Sequence, residues 1–81
     1  QVLKPAEFAK VVPGLDKVAV RRLLGKPAKT ARFDLKPDEE HWDWRWLDGQ
    51  VPKLFSVLFD KDGKVMSTSV ADDVRAQQGS Q

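Results

Sequence analysis

The sequence predicts a small α+β domain in which two N-terminal helices pack on one face of a three- or four-stranded antiparallel sheet. Three observations lead there. Apolar residues up to Leu24 recur at helical spacing, and after Pro27 the period changes to alternation. Trp42, Trp44 and Trp46 sit two residues apart, which a β-strand places on one face and a helix would scatter. Asp60-Lys61-Asp62-Gly63 separates two further apolar stretches and is a hairpin signal.

The first helix is expected over residues 4–12. Pro5 suits the first helical position, Phe8, Val11 and Val12 form an i, i+3, i+4 stripe, and Pro13-Gly14 ends it. The second helix starts at Asp16, whose carboxylate can accept the orphan amides of the first turn, with Leu15 and Val20 placed as a hydrophobic staple. Val20, Leu23 and Leu24 point inward and Lys17, Arg21 and Arg22 outward; Gly25 and Pro27 stop the helix.

Of the strands, Lys29 to Phe33 carries the weakest pattern. Residues 34–40, with Pro37 and the acidic run Asp38-Glu39-Glu40, read as a solvent-exposed loop. The tryptophan strand follows, then a turn at Asp48-Gly49 and a strand over residues 53–59, with Pro52 at its irregular start. A type I turn with Gly63 at positive φ sets Asp60 opposite Lys64, hence Phe59 opposite Val65, Leu58 opposite Met66 and Leu54 opposite Val70, with the last strand over 64–71. The face bearing Trp42, Trp44, Trp46, Phe55, Val57, Phe59 and Val65 should take the helices, because that much exposed apolar surface would be costly. The opposite face mixes polar residues with Leu47, Leu54, Leu58, Met66 and Val70. These five form a candidate partner surface, with shielding by the tail or by the 34–40 loop as the alternative.

Length and composition bound the chemistry. At 81 residues without cysteine, one apolar core must hold the chain, and 41% apolar residues with three Trp and four Phe exclude wholesale disorder. No window approaches the roughly 18 apolar residues of a membrane span, and the first residues lack the charged-then-apolar pattern of a signal peptide. A single histidine and no tyrosine exclude Cys/His catalysis and zinc sites built from several Cys or His. His41, Asp43 and a serine could be drawn as a triad, but nothing marks Ser56, Ser67 or Ser69 as an activated nucleophile. Asp60-Lys61-Asp62-Gly63 opens like a calcium loop without the later bidentate acid. The expectation is a non-enzymatic chain with no catalytic, metal or cofactor-binding residue.

The modest net charge of +2 hides an asymmetry: through Phe33 there are eight basic and two acidic residues, a net of +6, and the remainder nets −4. Lys17, Arg21 and Arg22 are therefore candidate contacts for an anionic partner such as lipid headgroups or nucleic acid, the alternative being a solvated helix face. A stacking platform for single strands would need the tryptophans exposed.

The order of signals resembles the BamE family, also called SmpA/OmlA. It is carried by Gly14-Leu15-Asp16, helical Val20, Leu24-Gly25-Lys26-Pro27, Trp42-Asp43-Trp44 and Val57-Leu58-Phe59-Asp60-Lys61-Asp62-Gly63-Lys64-Val65, over residues 11–69. The resemblance implies two helices on a three-stranded antiparallel sheet, similar to each half of β-lactamase-inhibitor proteins. Gly14, Asp16, Gly25, Pro27, Trp42, Trp44, Phe59 and Gly63 would then be fold determinants. It also implies a small lipoprotein on the periplasmic side of the Gram-negative outer membrane, an accessory of the β-barrel assembly machinery that binds a protein partner and phosphatidylglycerol. The lipid-bearing cysteine and signal peptide of such lipoproteins are not in this sequence. Either they precede Gln1 in the full-length protein or this relative is not lipidated. On this reading residues 1–73 form one domain and residues 74–81 a frayed tail. A second expectation is an inhibitor or regulator of another periplasmic protein, and a third a nucleic-acid-binding module.

Overall fold

The computed structural model of the chain describes residues 5–33 and 35–72. The elements are α1 (Pro5–Phe8), α2 (Lys17–Leu24), β1 (Lys29–Phe33), β2 (Lys36–Asp48), β3 (Val51–Phe59) and β4 (Val65–Asp72). The strands form one antiparallel sheet in the order β1-β2-β3-β4, so four strands pair rather than three.

The first helix is shorter than its stripe predicts. It ends at Phe8, and the amides of Lys10 and Val11 reach back only three residues, to Glu7 and Phe8 carbonyls at 3.1 Å. A few residues followed by Pro13 cannot sustain an α-helix alone, because proline disfavours the helical region at the residue before it. The Phe8 ring nevertheless stacks on Phe55, with centroids 4.2 Å apart.

The second helix follows its sequence signals. Asp16 is extended, and its Oδ1 accepts from the Ala19 amide at 2.8 Å. Gly25 ends the helix at φ 82°, a region that a side chain resists, and its amide donates to the Arg21 carbonyl at 2.7 Å. The Gly25 carbonyl in turn accepts from Trp44 Nε1 at 3.2 Å, so the helix end is fastened to the middle of β2.

The core lies on the face of Trp42, Trp44, Phe55, Val57, Phe59 and Val65, closed by Val20 and Leu24 of α2 together with Phe8 and Val11. Trp44 retains 2% exposure and Val20 none. The shortest dimension is 17 Å, and the other sheet face has no described element over it.

Three further expectations are corrected. Residues 36–40 are not loop but the start of β2. Arg32 pairs with Glu40 and Phe33 with Lys36, leaving three residues between them as a bulge. Pro37 lies in that bulge, beyond the end of β3, where its missing N–H costs no ladder bond, and its carbonyl accepts from Arg32 Nη1.

The second correction concerns register. Phe59 faces Val65 as predicted, but Met66 is an extra, bulged residue, so Leu58 faces Ser67 and Leu54 faces Ala71. The third follows from the second. Val70 lies opposite Phe55, on the helix-bearing side, and does not share a face with Leu54 and Leu58. The hairpin itself forms through Asp60, whose Oδ1 accepts from the amides of Asp62 and Lys64 at 2.8 and 3.0 Å, with Gly63 at φ 75°. The 74–81 tail lies outside the described residues.

Candidate functional site

Two surfaces carry the residues singled out by sequence. On the uncovered sheet face, strict alternation along β2 and β3 brings Leu47, Leu54 and Leu58 to the same side as His41, Asp43 and Arg45. Leu54 and Leu58 are half-buried by their strand neighbours, and Leu47 is 67% exposed. Met66 is exposed at its bulge, and Val70 belongs to the other side. The predicted five-residue patch is therefore reduced to a Leu47, Leu54, Leu58 stripe. Asp43 and Ser56 face each other across β2 and β3, and Asp43 Oδ1 is buried without a hydrogen-bond partner among the described residues.

The second surface is the basic side of α2. Lys17 is not a free cation: its ammonium donates to Glu40 and lies 5.9 and 5.7 Å from the ring centroids of Trp42 and Phe59. Trp42 Nε1 donates to the other Glu40 oxygen at 3.0 Å, and Arg32 Nη2 reaches the carboxylate at 3.3 Å. These donors hold the Glu40 carboxyl below the ordinary value of 4.5; the Lys17 hydrogen bond is the largest cause and the Trp42 bond the next, together outweighing burial.

Arg21 and Arg22 remain exposed. Arg21, Lys26 and Lys29 border an open pocket of about 330 Å³ whose wall includes Glu40 and Trp42. Three cations around one already-paired carboxylate make this region suited to an anion.

The candidate contacts expected from sequence, Lys17, Arg21 and Arg22, do not include Glu40, Lys26 or Lys29. From sequence Glu40 belongs to an acidic loop, yet it stands two residues before Trp42. Strand parity alone puts it on the aromatic face beneath α2. The tryptophan rings are core, with Trp42 and Trp44 buried, so neither offers a face for stacking bases. Among the described residues no group of three or more His, Cys, Asp or Glu could hold a metal ion. No helix among them is long and apolar enough to cross a membrane.

No family model matches the chain, and no curated protein matches it either. Among solved structures, the fold is similar to a crystal structure provisionally assigned as the osmotically inducible lipoprotein OsmE. The TM-score is 0.72 at 22% identity, over 96% of this chain and 82% of that one. The likeness shows that this small α+β arrangement, two short helices with a four-stranded antiparallel sheet, is a fold already known in solved proteins.

Proposed function

We propose that this chain is the globular domain of a BamE-like cell-envelope lipoprotein, a non-enzymatic module that binds a protein partner on the periplasmic side of the outer membrane. The observation that carries the reading is the coincidence of two independent likenesses. The ordered motifs from Gly14 to Val65 resemble the BamE family, and the fold over 96% of the chain is similar to a structure assigned as an osmotically inducible lipoprotein. The uncovered Leu47, Leu54, Leu58 stripe supplies the protein-binding face. Arg21, Lys26 and Lys29 around the pocket, with Arg22 exposed beside Arg21 on α2, supply cations for anionic headgroups such as phosphatidylglycerol.

The test is affinity capture from a Gram-negative envelope extract with the tagged chain and with Leu54→Lys. Recovery of β-barrel assembly components by the wild type, lost in the variant at unchanged melting temperature, is the expected result. Recovery of a soluble periplasmic enzyme instead would favour an inhibitor or regulator, and recovery of neither overturns the assembly reading. The lipid component is tested separately by vesicle co-sedimentation at low salt. Phosphatidylglycerol vesicles should bind better than neutral ones, and an Arg21→Glu, Arg22→Glu double variant should lose the difference.

A further inference from the structure

We infer that β4 pairs edge to edge with β4 of a second copy of this chain, joining two four-stranded sheets into one continuous antiparallel sheet. β4 ends the strand order, with β3 on one side only. Its first residue shows which way the free groups point. The Val65 amide donates to the Leu15 carbonyl at 2.8 Å and its carbonyl accepts from Gly14 at 2.9 Å, both away from β3. Alternation along β3, followed through the Phe55, Val57 and Phe59 positions, turns the N–H and C=O of Thr68 and Val70 outward as well. No described residue pairs with them.

The chain itself demonstrates what this edge accepts. Residues 14–16 lie antiparallel along its start, with a bridge between Asp16 and Lys64. Beyond them no described residue pairs with the edge over residues 67–71, and a two-fold axis at Ser69 overlays that run on its copy. Thr68 then faces Val70 of the second copy and Ser69 faces its equivalent.

Charge decides between the two edges of the sheet. β1 carries Lys29 and Arg32, and like charges on an edge oppose self-pairing. β4 carries one charge, Asp72, whose carboxylate accepts from Lys53 Nζ at 2.7 Å. It contains no proline or lysine, and it leaves Met66 44% and Val70 57% exposed at the rim that pairing would cover. An edge contact of this size belongs to the weak, transient class, so association should be concentration-dependent.

The experiment is sedimentation velocity over a concentration series. Wild type should pass from monomer to dimer. Val70→Pro removes an outward N–H without touching the β3 ladder and should weaken dimerisation at least about tenfold. Ser69→Lys and Ser69→Asp each set like charges face to face and should be monomeric, whereas an equimolar mixture of the two should dimerise. A wild type that stays monomeric throughout, a dimer unaffected by Ser69→Lys, or a mixture that fails to associate would overturn the pairing. If Val70→Pro fails to fold, the exposed Ser69 series still decides.

Discussion

Glu40 shows how a single residue changes meaning between sequence and structure. In an acidic run it reads as solvated charge; in the fold it receives Lys17, Trp42 and Arg32 and ties α2 to β2 and β1. Because its pKa is lowered on folding, the unfolded chain binds the proton more readily, and acid favours unfolding. The stabilisation is therefore present above the unfolded carboxylate value and is lost as pH falls from about 4.5 through the lower folded value. Glu40→Gln should cost about 1–2 kcal/mol at neutral pH, the Arg32 contact adding little because it is exposed. Urea midpoints measured down the acid range should converge for the two proteins. Trp44 is the second such residue. Trp44→Ala removes a fully buried indole and the bond to Gly25, and should cost about 3–5 kcal/mol. That is enough to unfold a domain of ordinary marginal stability, and loss of cooperative thermal unfolding is the readout.

Among the elements, α2 is the one whose ends and inner face follow directly from sequence. Asp16, Leu15, Gly25 and the Val20/Leu24 pair act within a few residues of one another, so local chemistry suffices. Asp16→Ala should lower stability by about 0.5–2 kcal/mol, measured by the same urea titration. The β2 and β3 faces were equally legible, since Trp42, Trp44, Phe55, Val57 and Phe59 alternate without interruption. β4 was not. Ser67, Thr68 and Ser69 are polar on both faces, so nothing in the strand resists a one-residue slip, and the bulge at Met66 moves Val70 to the opposite side. The start of β2 was hidden for a related reason: Pro37 and three acids signal a loop unless a wide bulge and the end of β3 excuse them.

At the scale of the molecule, α2, Phe8 and Val11 close the core on one sheet face, and no described element lies over the other face or along β4 beyond its start. The two predictions for these surfaces are separable: Leu54→Lys should abolish partner capture and leave self-association by sedimentation unchanged, whereas Ser69→Lys should do the reverse. Sequence by itself determined the α+β class, the caps of α2, the aromatic face as core and the hairpin at Asp60, because each is written in the period of apolar residues or in chemistry a few positions apart. Tertiary structure alone decided that Glu40 clamps Lys17, that Lys26 and Lys29 join Arg21 around one pocket, and that the apolar stripe stops short of Val70. Those outcomes depend on strand register and on contacts between residues distant in the chain. A polar strand such as β4 leaves that register to be fixed by its neighbours.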